Sequence, residues 1–184
     1  MDNGPNQKWV ADFTYIWTAG GWLYAAAVMD LYSRRIVGWS MSDSMRAKMV
    51  SDALLMSLWR HGKPSSLMHH SDQGKNTSDD FLQLLKAQGI TCSMSRGGAC
   101  WDNAAMESFF SSMKTERLSR RVYRTKEEAR SDVLDYIERF YNPVRKRSKL
   151  DSLRQVEFEE GLRGKQTVRE TGEAHPVLPT QCPD

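Results

Sequence analysis

Asp12, Asp72 and Glu107 have the strongest claim on chemistry in this 184-residue chain. Asp12 interrupts an aromatic and β-branched run, Trp9, Val10, Phe13, Tyr15, Ile16 and Trp17. On a buried face of that run a charged side chain has no structural purpose and needs a partner. Asp72 follows the short apolar run Leu67 to His70, in the segment His69-His70-Ser71-Asp72-Gln73-Gly74. Glu107 stands one turn into an expected helix whose apolar stripe is Met106, Phe109, Phe110 and Met113. At about 100° per residue, Asn103, Ser111 and Lys114 fall within roughly 40° of Glu107, on one edge beside that stripe.

Each carboxylate also has an ordinary explanation. Asp12 can face solvent from an alternating strand, Asp72 can open a turn before Gly74, and Glu107 can be an acid favoured near a helix start. Taken together, two carboxylates at strand ends and one on a helix are a sufficient ligand set for hard divalent cations, which take oxygen ligands and retain waters for a substrate. Two such ions about 4 Å apart can activate a water and stabilise the leaving 3′ oxygen when a phosphodiester is cut. His69 and His70 do not suggest zinc, because adjacent histidines lack the i, i+4 spacing of a helical metal pair and no cysteine is placed to join them.

The elements that must position these residues are legible as periodicity. The run Lys8 to Trp17 is an expected strand, broken by Gly20 and Gly21. Trp22 to Asp30 and Arg35 to Met41 follow at short intervals as two more, so the three form a meander. Met45 to Trp59 carries apolar residues near the helical period and stops at His61-Gly62 before Pro64. Leu67 to His70 is a short strand, Ser78 to Gln88 a helix with Phe81, Leu84 and Leu85 inward and Gly89 as terminator, and Ile90 to Met94 a fifth strand. A helix capped by Asp102 or Asn103 should run to about Ser119. Another, Thr125 to Tyr141, opens with a Thr125/Glu128 capping box and ends at Asn142-Pro143. This order predicts an α/β fold, a mixed five-stranded sheet flanked by helices. Residues 1–8 are a short lead, 9–160 one core, and 161–184, polar with Pro176, Pro179 and Pro183, a flexible tail.

Net charge is only +3, but it is unevenly placed. Residues 114–154 hold 13 basic and 7 acidic side chains, an excess of six, whereas residues 1–113 are balanced. Such a stretch suits phosphate contact, with Lys114, Arg145 and Lys146 the leading candidates, although a solvated mixed-charge helix has the same composition. The aromatics interleaved there, Tyr123, Tyr136, Phe140 and Tyr141, fit a core as readily as a stacking platform. Three cysteines without a CxxC pair argue against a disulfide framework and for a reducing cytoplasm. No run of apolar residues is long enough to span a membrane, and no membrane partner is expected.

Several stretches together resemble the integrase-like catalytic core of the IS3 family of insertion-sequence transposases. They are Trp9-Val10-Ala11-Asp12-Phe13-Thr14-Tyr15-Ile16, Met29 to Trp39, His69 to Gly74, Ser93-Met94-Ser95-Arg96, Trp101 to Phe110 and Tyr141-Asn142-Pro143-Val144-Arg145. The resemblance implies an RNase H-like fold with Asp12, Asp72 and Glu107 as a DDE triad. It also implies Mg²⁺ or Mn²⁺, two ions with DNA bound, releasing a 3′-OH at an element end and using it for strand transfer without a covalent protein intermediate. Lys114, and with it Asn103 on the same helix edge, is then expected to hold DNA near the metals. DNA ends and target DNA are the implied partners, with a homo-oligomer assembled on them at the nucleoid.

Departures from the family pattern are also visible. Asp72 and Glu107 are separated by 34 residues, one fewer than in the family; Ala99 replaces a common Asn; and Arg147 to Gln155 differs from the usual segment. With about eight residues before the first strand, the helix-turn-helix recognition module that the family carries upstream is expected to be separately encoded or missing. Two other readings stand beside a strand transferase: a catalytically impaired relative that binds DNA or a transposase subunit, and an RNase H-like nuclease that only hydrolyses.

Overall fold

A computed structural model describes residues 4–45, 47–62, 64, 67–71, 79–94 and 100–143. The strands are β1 (Lys8–Thr18), β2 (Gly21–Asp30), β3 (Ile36–Ser42), β4 (Met68–Ser71) and β5 (Thr91–Met94), and the helices are α1 (Ala47–His61), α2 (Asp79–Ala87), α3 (Cys100–Glu116) and α4 (Lys126–Asp135). They form one sheet in the order β3-β2-β1-β4-β5. The expected meander β1-β2-β3 is antiparallel, while β4 and β5 add in parallel through helical crossovers, giving the mixed α/β sheet that the element order predicts.

Alternation along the strands divides the core in two. On one face Val10 and Ile16 of β1, with Leu23, Ala25, Ala27 and Met29 of β2, pack under α3 and α4. On the other, Trp9, Ala11, Ala26, Val28 and Val37 pack under α1 and α2. The result is a three-layer sandwich with the long central strand β1 buried on both sides.

Two contacts fix the outer strand β3. Gly38 faces α1 so closely that a Cβ there would lie 2.1 Å from Ser57 Oγ and 2.4 Å from the Ala53 carbonyl, both fixed in the helix by their own hydrogen bond of 2.8 Å. Only glycine lets α1 approach β3 this far. On the opposite edge Asn142 acts as a surrogate strand residue: its Oδ1 accepts the Ile36 N–H at 3.0 Å and its Nδ2 donates to the Ile36 carbonyl at 3.0 Å. A bulge at Val37 keeps both Ile36 and Trp39 on the α3 face.

The helix expected from Thr125 to Tyr141 is found in two parts. Its start is as the capping box implies, with Thr125 Oγ1 accepting the Glu128 N–H at 3.2 Å, but Glu128 returns the bond to Arg124 N–H rather than to Thr125. After Asp135 the backbone widens into a π-helical segment, Tyr136–Tyr141, closed by Asn142 N–H on the Ile137 carbonyl at 3.1 Å. The wider turn brings Tyr136, Ile137 and Tyr141 all into the core and delivers Asn142 to β3. Periodicity cannot reveal such a switch, because its cause is the tertiary partner. The helix expected to reach Ser119 ends at Glu116 and gives way to a 3₁₀ turn, Leu118–Arg120, that buries Leu118.

The motif Asp30 to Arg34 is structural. Asp30 is fully buried at the end of β2, and its carboxylate accepts from Asn6 N–H (3.0 Å), Ser33 N–H (2.9 Å) and Ser33 Oγ (2.7 Å), holding the β2–β3 turn with Arg34 in the left-handed region.

Two substitutions test this frame. Gly38→Ala should destabilise by roughly 2 kcal/mol or more, since the added methyl meets a helix backbone that cannot yield; a thermal melt within a degree or two of wild type would contradict the packing. Asn142→Ala should cost about 1–3 kcal/mol in urea denaturation, because it strands a buried donor and acceptor on Ile36.

Candidate active site

Asp12 lies midway along β1, opposite Ala27 of β2. Strand alternation puts it with Val10 and Ile16 on the α3 face, where it is half-buried, and its Oδ1 accepts the Phe13 N–H at 2.8 Å. A carboxylate on the helix-covered face of a central strand is therefore real, and the solvent-face explanation for Asp12 does not hold. Along its other edge β1 meets β4 in parallel, with Lys8 beside Met68, Trp9 beside His69 and Val10 beside His70, a constant offset of 60 residues. The last residue of β4 is Ser71. Asp72 lies outside the described residues.

The buried stripe of α3 is the one expected: Met106, Phe109, Phe110 and Met113 are in the core beneath it, with Phe109 meeting Tyr141 edge to face at 4.7 Å. Glu107 is exposed at the margin of that stripe. Lys114, two turns and roughly 10 Å further along the same edge, places its Nζ 5.0 Å from the centre of the Tyr15 ring, and no described carboxylate pairs with it. Asn103 falls in the first turn of α3. Arg145 and Lys146 lie outside the described residues, as does the tail 161–184. Among the described residues no group of three His, Cys, Asp or Glu is placed to hold a metal.

Between Arg117 and Arg139 most of the cations are engaged internally. Arg117 donates to Asp132 at 2.8 Å and also to Asp135; Arg121 reaches Asp132 at 3.4 Å; Arg139 pairs with Asp135 at 3.4 Å; Arg130 and Lys126 both meet Asp43. Burial pushes the Asp132 carboxyl up, but hydrogen bonds from Tyr123 (2.5 Å) and Arg117 and the nearby guanidinium charges outweigh it and hold its pKa below the usual range. The same hydrogen bond to Asp132 raises Arg117. Burial, helped by Asp132, raises Tyr123. Tyr123, Tyr136 and Tyr141 are core. Lys114 is aimed at an aromatic ring rather than an acid. Periodicity gives no hint of that ring contact, because Tyr15 lies on another element.

His69 and His70 are both buried. His69 faces α2, fully buried, with its ring edge-on to Phe81 at 5.3 Å and no hydrogen-bond partner for either nitrogen among the described residues. Burial first, and then the neighbouring His70, lower its pKa to about 4 from 6.5.

Residues 2–100 match an integrase core domain and residues 88–153 match a second integrase core domain model. Transposase InsF for insertion sequence IS3A of Escherichia coli (strain K12) is 44% identical over 158 residues, 85% of this chain and 55% of that protein. The 31 kDa protein of insertion element IS600 from Shigella sonnei is 41% identical over 157 residues, 85% of this chain and 58% of that one. Among solved structures, the catalytic core domain of BIV integrase superposes with a TM-score of 0.64 at 19% identity, covering 88% of this chain and 99% of that one. The HTLV-2 integrase catalytic core domain in complex with magnesium does so at 0.63 and 16%, covering 86% and 99%.

The fold is thus RNase H-like, that of integrase catalytic cores. Within that class, the sequence matches show that the chain belongs to the IS3 family of insertion-sequence transposases. It spans about half the length of the curated relatives it matches. No helix among the described residues is long and apolar enough to cross a membrane.

The buried His69 generates a pH prediction. Its folded pKa lies below its unfolded one, so the unfolded chain binds the proton more readily. The stability tied to this residue is complete above about pH 6.5 and is lost as pH falls toward 4. Urea denaturation should show about 2 kcal/mol lost on this account between pH 7.5 and pH 5, and His69→Leu should flatten that part of the profile. An equally steep profile in the variant would assign the acid sensitivity elsewhere.

Proposed function

We propose that this chain is the DNA-cutting and DNA-joining core of a transposase, with Asp12, Asp72 and Glu107 as its catalytic carboxylates. The observation that carries the reading is the β1–β4 register. Its constant offset of 60 runs β4 alongside β1 in the direction of Asp12, so that the chain leaving β4 would enter beside Asp12 on the face whose helix α3 carries Glu107. Three acids remote in sequence would thereby share one edge of the sheet. This supports the DDE reading over the three separate ordinary explanations.

The donor set fits Mg²⁺ or Mn²⁺. All three side chains offer hard oxygens, and Asp12 is held by the Phe13 N–H so that its orientation is set before any ligand arrives. Bound there, a pair of such ions would supply Lewis-acid activation of a water and stabilisation of the leaving oxygen. In the first step water attacks phosphorus, the bond to the 3′ oxygen breaks and a 3′-OH is freed. In the second, that hydroxyl attacks a target phosphodiester. The protein's part is placement: the carboxylates would gather at one point, and Lys114, half-buried two turns beyond Glu107, would hold a phosphate of the strand being cut. Asn103, in the first turn of α3, and Arg145 and Lys146 contact the DNA backbone around it. The partners in this reading are element ends and target DNA, a second copy of the chain assembled on them, and a helix-turn-helix module that supplies end recognition. It would act in the cytoplasm, at the nucleoid.

The test is a labelled duplex incubated with the protein and Mn²⁺ or Mg²⁺, read for nicked and joined products. Asp12→Asn, Asp72→Ala and Glu107→Gln should each lower both activities by roughly 100-fold or more, as expected when several kcal/mol of transition-state charge stabilisation is removed. Chelator should do the same. Nicking without joining would identify a hydrolytic nuclease. Silence that persists after fusion to a recognition module would identify the impaired relative, for which the shortened Asp72–Glu107 spacing is the motivating feature.

A further inference from the structure

The tip of the β1–β2 hairpin is aromatic and open. Tyr15 is 55% exposed and Trp17 61%, and both rings stand edge-on to Trp22 of β2, at 5.2 Å and 4.8 Å between centres. They share the sheet face that α1 and α2 cover further down, but the tip projects past those helices. Beyond the Val10–His70 pair no described strand covers the outer edge of β1. Large rings left in water in this way are uncommon unless a surface binds something.

The arrangement is also rigid. Ala19 N–H at the turn donates to the Tyr123 carbonyl at 2.9 Å, tying the tip to the segment that follows α3. Between them lies a half-open pocket of about 310 Å³ whose walls include Tyr15, Trp17, Lys114, Arg121 and Val122 and, among the described residues, no acidic one. Lys114 leans over the Tyr15 ring, and Arg121 keeps more than half of its side chain exposed although it reaches Asp132. Flat rings bordered by Lys114, which meets no described carboxylate, and by the half-exposed Arg121 suit an anionic strand with planar groups better than an apolar protein surface. Base–aromatic stacking serves any nucleotide because every base has a π-face.

We infer that this hairpin tip is a platform for unpaired DNA, stacking one or two bases on Tyr15 and Trp17 while Lys114 and Arg121 hold the adjoining phosphates. The substrate class rests on the transposase reading above. Lys114 lies roughly 10 Å along α3 from Glu107, about three stacked nucleotides, so the platform would hold the strand just beyond the cut. It gives the frayed end a place to go once its pairing is lost, at a distance where the rings touch no reacting atom.

The experiment is equilibrium binding of a fluorescein-labelled thymidine oligonucleotide, and of a blunt duplex of the same length, to the full chain in EDTA. The single strand should bind, with quenching of tryptophan fluorescence. Tyr15→Ala and Trp17→Ala should each weaken that binding about 5- to 150-fold and leave the duplex nearly unaffected, while Trp17→Phe should retain most of the affinity. A Trp17→Phe protein with wild-type melting also guards against a folding artefact. Single-strand affinity unchanged in the Tyr15→Ala/Trp17→Ala double variant would overturn the platform. So would unchanged affinity accompanied by a shift from dimer to monomer in sedimentation, which would give the rings to a second copy. Asp12→Ala separates this from the cleavage reading. Tight, ring-dependent binding by that variant upholds the platform whether or not wild type cuts DNA. Cleavage lost in Asp12→Ala beside ring-independent binding leaves the cleavage reading standing alone.

Discussion

The contact on which the candidate site depends is that of α3 with the even-numbered face of β1. Met106, Phe109, Phe110 and Met113 enter the core beside Val10, Ile16 and the alanines of β2, and Phe109 is held from the far side by Tyr141. Once that stripe is buried the helix resists rotation, because a turn of one residue would bring Glu107, Ser111 and Lys114, or Ser108 and Ser112, into the core. Glu107 and Lys114 are then committed to one margin of the helix. Asp12, on the face that α3 covers, is committed to the same side of the sheet. Hydrophobic packing, rather than any attraction between charged groups, sets the positions of these residues.

The rest of the frame keeps that contact in register. Small residues do much of this: Ala25, Ala26 and Ala27 let helices approach both faces of β2, and Gly38 lets α1 approach β3 until no Cβ would fit. Side-chain amide and carboxylate groups do the rest, Asn142 completing the ladder on the edge of β3 and Asp30 holding the turn that precedes it. Both belong to stretches by which the family is recognised, yet their work is structural. A matched motif locates what the fold requires as well as what the chemistry requires.

Charge follows the same division. The cations between Arg117 and Arg139 are largely bound to Asp43, Asp132 and Asp135, a network that fastens α4 to the end of α3 and to the end of β3. Lys114 stands outside that network, over an exposed ring on the hairpin. Among the described residues, the partners of each cation and not the count of cations separate those that fasten the fold from Lys114.

Much was legible in the sequence alone. Alternation and helical period located all five strands and the helices to within a few residues, since these depend on local backbone geometry and on which side chains avoid water. The spacing of apolar residues around Glu107 predicted its place beside the buried stripe, and the motif resemblance pointed to the family. Other features were decided only by the tertiary structure. The parallel offset of β4 on β1, the π-helical widening at Tyr136, the partners of Arg117 and the ring beneath Lys114 all join residues on different elements. Each depends on how the elements pack, and pattern within one segment carries no information about that.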